Sequence, residues 1–512
     1  MSLSEPNIYA AIDLGSNSFH MIVAKNDNNQ IQVIDRIKDT VRLAGGLDKH
    51  NMLSDETMED ALKALERFGQ RINEIPHENV HAVGTNALRL AINSNIFLNK
   101  ARLALDHPIE IISGIEEARL IFLGVAHSAF QDNKKCLVVD IGGGSTEIII
   151  GQGYEPILSE SLYMGSVSVS KRYFNDGEIT AKKMCKAILH CRQELETIGT
   201  IYKNMGWEVA LGASGAVLRI NEIAMEKSWC DVGITRESLD KLTDVMINAG
   251  HIKKLRFESI PNNQKSILPG GVAVLSAVFE ALDLESISIS DGALREGLLH
   301  DLIGRVQNKD VRVATVNNFM ARYSVDIDHV KLIEITARNC FDQVQADWQL
   351  DKKQDLKLIK WAIRLHQIGI AVAHSQYHRH GAYLINHSDM PGFSRQTQAE
   401  LAILVRSHRR KFPLEEIQSM SENNIDRILR LCIIVRFSIL LHRSRSSDAL
   451  PEFKLKAGNN YLKIIFPENW LDDHPLTEID IETEAAYVSA TAYKLKINEE
   501  SSNNVSSDQF EK

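Results

Sequence analysis

The chain has 512 residues, of which 44% are hydrophobic and 24% charged, and a formal net charge of −9. That length exceeds what one hydrophobic core supports at about 100 to 200 residues per domain, so three or four domains and a large buried interior are expected. The ordinary composition excludes fibrous, disordered and membrane-spanning classes, and the acidic balance argues against general nucleic-acid binding while leaving room for a local basic groove.

The first strand-like run, IYAAIDL, starts at Ile8 behind MSLSEPN, which has neither the basic start nor the apolar stretch of a secretion signal. A cytoplasmic location is therefore expected. Short apolar runs then alternate with helical periodicity as far as about Gln307; VHAVG (Val80–Gly84) and IEIIS (Ile109–Ser113) read as strands. That alternation predicts an α/β class. A helix opens at Ser54, the expected N-cap, with Met58, Leu62, Leu65 and Ile72 on one face and an acidic first turn that suits the helix dipole.

From about Asp310 to Ser447 helical patterns dominate, as in Val330, Ile333, Ala337, Phe341 and Val344, and an all-helical domain is predicted. Within it LCIIVRFSILL (Leu431–Leu441) carries Arg436 and falls short of the roughly 18 apolar residues that span lipid, so it reads as a buried helix. Beyond Pro451, FKLKAGNNYLKIIFP reads as a hairpin about a Gly-Asn-Asn turn and YKLKI (Tyr493–Ile497) as a third strand. The polar residues 499–512 read as a disordered tail. Cys136, Cys185, Cys191, Cys230, Cys340 and Cys432 are scattered without zinc-type spacing, which fits reduced thiols.

Two segments share one design: YAAIDLGSNSFHMIVA with Asp13, and LVVDIGGGSTEIIIG with Asp140. Each is an apolar strand ending in aspartate, a turn of glycine and small polar residues, and a second apolar strand. Glycine lets backbone N–H groups approach phosphate oxygens, and neighbouring hydroxyls add donors. Gly15, Ser16, Asn17 and Ser18 are thus candidate phosphate ligands in the first turn, and Gly142, Gly143, Gly144, Ser145 and Thr146 in the second. A third turn, in EVALGASGAVLRI, runs through Gly212, Ser214 and Gly215 into a helix whose N-terminus favours an anion. Magnesium takes oxygen ligands and often shares carboxylates with substrate phosphates, which makes Asp13, Asp140 and Glu147 its candidate ligands. Glu116 and Glu117 place a carboxylate pair in the first turn of the helix after IEIIS, where one of them can orient or deprotonate water.

IDLGSNSFH, TNALRLA, SGIEEARLIF, VDIGGGSTE, GASG and SDGALREG, in that order, resemble the exopolyphosphatase and guanosine pentaphosphate phosphohydrolase family over nearly the whole chain. The resemblance implies two actin-like (ribonuclease H-like) ATPase domains, 1–124 and 125–309, with the active site in the cleft between them, then a helical domain 310–447 and a small α+β domain 448–498. It implies Glu117 as general base, Arg89 as a phosphate clamp, and magnesium as cofactor. SDGALREG matches the place where the wider superfamily holds adenosine and is assigned no chemistry. RLHQIGI resembles the His-Asp metal phosphohydrolase fold, yet Gln367 stands where the metal-binding aspartate would be, so His366 is expected to be a packed helix residue.

Three basic clusters, HSQYHRH, RSHRRK and RFSILLHRSR, suggest a track for a long polyanion, with His378, Arg379, His380, Arg406, Arg409, Arg410 and Lys411 as groove residues. The leading expectation is an exopolyphosphatase acting on inorganic polyphosphate. The alternatives are a guanosine pentaphosphate phosphohydrolase, a non-catalytic alarmone-binding regulator, and, by fold analogy alone, a sugar or acetate kinase. The resemblance further implies a homodimer, with peripheral attachment to the inner membrane face left open.

Overall fold

The computed structural model of the chain describes residues 8–27, 30–129, 134–230, 233–306, 310–420, 422–445 and 450–499; the expected tail lies, from residue 500, outside the described residues. Two compact units form, one within Met1–Val311 plus Pro391–Arg395 and the other within Arg312–Met390 plus Gln396–Lys512.

The first unit holds two sheets. In one, β1 (Ile8–Leu14), β2 (Phe19–Asp27) and β3 (Gln30–Asp39) form an antiparallel meander, and β4 (Val80–Gly84) and β5 (Ile109–Ile111) add in parallel on the other side of β1. In the other, β6 (Lys135–Ile141), β7 (Thr146–Gln152) and β8 (Glu155–Leu162) form the meander, β9 (Val209–Ala213) lies parallel to β6, and β10 (Ile234–Thr235) ends the sheet beyond β11 (Ser286–Ile289). The order β3-β2-β1-β4-β5 thus recurs as β8-β7-β6-β9-β11. β1 and β6 are apolar on both faces because both faces are covered, as parallel pairing requires.

Three hydrophobic clusters fill the layers. The helix Asp55–Ile72 starts where Ser54 Oγ accepts from Thr57 N (3.3 Å), and it buries Met58, Leu65 and Ile72 against the outer face of the first sheet, with Leu62 packed at the margin. On the outer face of the second sheet the helices Ala181–Met205 and Leu268–Leu282 bury residues such as Met184, Leu195, Val272 and Phe279. Between the sheets, the helices Gly114–Ala129 and Leu294–Val306 pack Leu120, Phe122, Leu298 and Leu302 with Tyr9 and Ala11 of β1 and with Val138 and Ile149 of the second sheet. These two helices cross closely: a Cβ on Gly124 would stand 2.1 Å from the Ala293 carbonyl oxygen.

The second unit is largely helical. Val330, Ile333, Ala337, Phe341 and Val344 are buried on the helix Ile327–Val344, and Leu431–Val435 are buried within the helix Glu422–Leu441. Its three-stranded sheet pairs β12 (Lys454–Gly458) and β13 (Tyr461–Phe466) as a hairpin, and β14 (Lys494–Glu499) lies parallel to β13.

Candidate active site

The two related hairpins aim their turns at one cleft of about 340 Å³, within the roughly 300–1,000 Å³ usual for small-molecule sites. Asp13 lies near the end of β1 opposite His20, and Asp140 near the end of β6 opposite Glu147, so each aspartate shares a sheet face with its partner. The turns approach each other directly. A Cβ on Gly143 would come within 3.0 Å of Ser16 Cβ, so a larger residue would push the two phosphate-type turns apart. Ser214 opens the helix Ser214–Glu226 with φ of 82° and donates Oγ–H to the Ile141 carbonyl (2.9 Å), tying the third turn to the second.

Glu117, on the first turn of the helix Gly114–Ala129, faces the cleft with its carboxylate 2.6 Å from Arg89 Nη1, which also donates to the Ile112 carbonyl (3.1 Å). This buried, charge-assisted bond fixes the carboxylate's direction. Burial first, and the charge of Glu117 second, push Asp13 up to about 8 and Asp140 up to about 7. Glu147 is also held well above the usual carboxylate range, by burial and then by Glu117 and Asp140. Asp13, Glu117 and Asp140 therefore crowd one cleft, with Glu147 acting electrostatically on the same group, an arrangement that favours a bound cation.

The donor set fits magnesium in one form only. Among the described residues no group of three or more His, Cys, Asp or Glu side chains is arranged to hold a metal ion. Asp13, Asp140 and Glu147 therefore do not form the expected three-ligand set: Glu147 accepts from Ser161 Oγ (2.8 Å) and is not among the residues lining the cleft. Asp13 and Asp140 do line it, and the buried Asp13 Oδ1 has no hydrogen-bond partner among the described residues. Two carboxylates completed by water and substrate phosphate oxygens is a common magnesium arrangement.

Of the expected phosphate residues, Gly15, Ser16, Asn17, Ser18, Gly142, Gly143, Ser145, Ser214 and Gly215 line the cleft. Gly144, Thr146 and Gly212 do not: Gly144 sits against Asn86, the Thr146 hydroxyl is taken by the Met164 carbonyl, and Gly212 packs on Val217. Asn86, buried with Nδ2 unpartnered among the described residues, is a cleft donor that motif spacing did not single out, although TNALRLA contains it. The cleft is also lined by His20, Lys38, Arg219 and Arg295, alongside Leu218, Ile260, Ile267 and Leu268. Burial, then Arg295 and Lys38, push His20 down to about 3, so it is neutral and accepts at Nδ1 from Arg295 Nη1 (2.9 Å). SDGALREG thus contributes Ser290, Asp291, Ala293, Leu294 and Arg295 to the wall.

Residues 22–306 match the Ppx/GppA phosphatase family, and residues 311–485 match its domain III. The guanosine-5'-triphosphate,3'-diphosphate pyrophosphatase of Vibrio atlanticus is 37% identical over 493 residues, covering 96% of this chain and 98% of that protein. The chain belongs to the Ppx/GppA phosphatase family. The pyrophosphatase of the same name from Pseudoalteromonas translucida is 35% identical over 496 residues, 96% of this chain and 99% of its own. A solved exopolyphosphatase from Cytophaga hutchinsonii, 22% identical, superposes with a TM-score of 0.52 over 58% of this chain and 98% of that one, which establishes the fold. The paired sheets are accordingly two actin-like lobes, and the chain is a hydrolase of phosphoanhydride bonds.

In domain III, His366 is buried, its Nδ1–H donates to the Ile363 carbonyl (2.5 Å), and burial pushes it down to about 4. It packs as expected, next to Gln367. The third basic cluster is neutralised: Arg436 is buried on Glu484 (Nη2 to Oε2 2.9 Å), Arg443 pairs with Asp480, and Arg445 with Asp326 (3.1 Å). The other two clusters converge, since Arg406, Arg409, Arg379 and Arg410 all act on His378 electrostatically, and none of the four has an ion pair among the described residues. His378 itself is buried, beside His408 and Tyr377, so the outward part of the cluster is arginine and Lys411, with His380 half-buried. Among the described residues no helix is long and apolar enough to cross a membrane.

Proposed function

We infer that the chain hydrolyses the terminal 5'-phosphoanhydride of guanosine 5'-triphosphate,3'-diphosphate, releasing orthophosphate. The reading rests on near full-length similarity to relatives named for that substrate, and it displaces polyphosphate as the leading expectation. The cleft supports it. Apolar Leu218, Ile260, Ile267 and Leu268 offer a surface for a base, and Lys38, Arg219 and Arg295 offer charge for phosphates remote from the reacting one.

In this reading the turns around Ser16–Ser18 and Gly142–Ser145 hold the terminal phosphates through backbone N–H groups and hydroxyls. Glu117, aimed by Arg89, takes a proton from water as the water oxygen attacks the terminal phosphorus, and the bridging oxygen departs with the nucleotide. Asp13 and Asp140 would hold magnesium, which when bound supplies positive charge beside the phosphate oxygens. Phosphate release should be followed side by side on guanosine pentaphosphate and long-chain polyphosphate, with magnesium and then with chelator. Preference for the nucleotide, lost on chelation, supports the reading; turnover of polyphosphate alone overturns it.

One observation favours polyphosphate as a second reading: the unpaired arginine cluster of Arg379, Arg406, Arg409 and Arg410 is suited to successive phosphates. Six free cysteines, four of them buried, fit a reducing, cytoplasmic setting. A homodimer and attachment to the inner membrane face complete the proposal, to be checked by sedimentation velocity and by cosedimentation with anionic vesicles.

A further inference from the structure

A second cavity adjoins the catalytic cleft. Its volume is about 370 Å³, against about 340 Å³ for the cleft, and the two share Ser16, Asn17, Gln264 and Ile267 as walls. The first lobe also gives this alcove Thr40, Arg42 and Gly45, and the second lobe Val167 and Ser266. The first phosphate-type turn is the partition: a Cβ on Gly143, which lines the cleft, would stand 3.0 Å from Ser16 Cβ and 3.5 Å from Val167 Cγ2. That turn is braced from the alcove side, where the Ser16 carbonyl accepts from Ala44 N and the Asn17 carbonyl from Arg42 N (both 2.8 Å).

The two cavities differ in wall chemistry. Asp13, Glu117, Asp140 and Asp291 line the cleft, whereas among the described residues no aspartate or glutamate lines the alcove. Arg42 does line it. Its backbone is left-handed (φ 57°, ψ 44°), a conformation that a residue with a side chain keeps only where its surroundings hold it, and the bond to Asn17 does so here. Arg42 Cβ lies over Gly45, 3.7 Å from where a Cβ on that glycine would stand, and its guanidinium makes no hydrogen bond or ion pair among the described residues. The second lobe contributes Gln264. Arg219 Nε donates to Gln264 Oε1 (2.7 Å), and because a guanidinium can only donate, the two Nε2–H donors of that amide are left for another partner. The exposed hydroxyls of Thr40 and Ser266 add donors. An uncommitted guanidinium, donors from both lobes and no carboxylate make a wall suited to an oxyanion.

We propose that the alcove is a second phosphate site beside the one where the phosphoanhydride is cut, in which Arg42 and the Gln264 amide hold an oxyanion without a metal. This rests on the phosphoanhydride chemistry of the family. The occupant is either a substrate phosphate remote from the reacting one, as in the 3'-diphosphate of guanosine pentaphosphate, or the orthophosphate released. The probe is inorganic phosphate, titrated by calorimetry into the full chain in excess chelator, where Asp13, Glu117 and Asp140 oppose an anion in the cleft. The wild type should bind phosphate saturably. Arg42→Ala should weaken binding about tenfold or more, and Arg42→Lys should recover part of the loss as a point charge. Ser266→Asp, on the other lobe, should weaken binding through like charge without touching the turn that holds Arg42. Both positions are exposed, and equal melting temperatures for variants and wild type check the fold. No phosphate bound by the wild type in chelator, or equal affinity in every variant, overturns the proposal. Kinetics with magnesium then name the occupant. If Arg42→Ala raises KM for guanosine pentaphosphate several-fold more than KM for GTP, the site takes the 3'-diphosphate; equal changes in KM with weaker inhibition by orthophosphate give the site to the product. The titration needs no turnover, so an enzyme inactive on guanosine pentaphosphate would defeat the substrate reading and leave the alcove to be decided by phosphate affinity alone.

Discussion

Asp140→Asn, measured without metal, tests whether the carboxylates of the cleft are as crowded as their geometry implies. Burial and the charge of Glu117 push Asp140 from 3.8 up to about 7. A carboxyl raised in this way binds its proton more tightly in the folded state. Its contribution is therefore fully present below about pH 4 and is lost as pH rises towards 7. Integrated between those values, ionising the carboxyl costs the folded state about 4 kcal/mol at pH 7 and about 0.5 kcal/mol at pH 4. Asparagine fills nearly the same space and has no charge to bury. At roughly 2 °C per kcal/mol for a unit of this size, Asp140→Asn in chelator should melt about 5–10 °C above the wild type at pH 7 and about 1 °C above it at pH 4. Circular dichroism melts at the two pH values provide the comparison. A variant that melts below the wild type at pH 7, or an offset that does not change with pH, would refute the reasoning. The same variant should lose turnover, which sets stability against activity at one residue.

Glu117→Gln should keep substrate binding within a few-fold while kcat falls by about 10²–10⁴, because the amide still accepts from Arg89 but cannot take a proton; steady-state kinetics decide, and unchanged kcat removes Glu117 from the mechanism. Chelation should abolish phosphate release and added magnesium restore it, whereas full activity in excess chelator would dismiss the two-aspartate site. The double variant Arg409→Ala with Arg410→Ala should weaken binding of long polyphosphate more than short, since distant phosphates need distant charges; fluorescence anisotropy with labelled chains of two lengths would reveal an equal effect if there is no groove.

The parts of the site that lie within a few residues of each other were legible in the sequence. An apolar run ending in aspartate and followed by glycine and small polar residues can do little but form a strand and a close turn, and its duplication marked Asp13 and Asp140 as equivalent. Helix periodicity likewise located the buried faces of Asp55–Ile72 and Ile327–Val344, because spacing along one element decides which side chains share a face.

Partners far apart in the chain were decided only by tertiary packing. Spacing alone does not distinguish Glu116 from Glu117, which only the family resemblance separated, and it is the rotation of one helix that gives the first to Arg119 and Gly392 and the second to Arg89 and the cleft. The basic run at Arg436–Arg445 looked available to a polyanion until Glu484, Asp480 and Asp326 were folded against it. Lys38, Asn86 and Arg219 reached the cleft unannounced. Sequence determined the strands, turns and apolar faces because these depend on neighbours in the chain; the fold determined which charges meet, because that depends on neighbours in space.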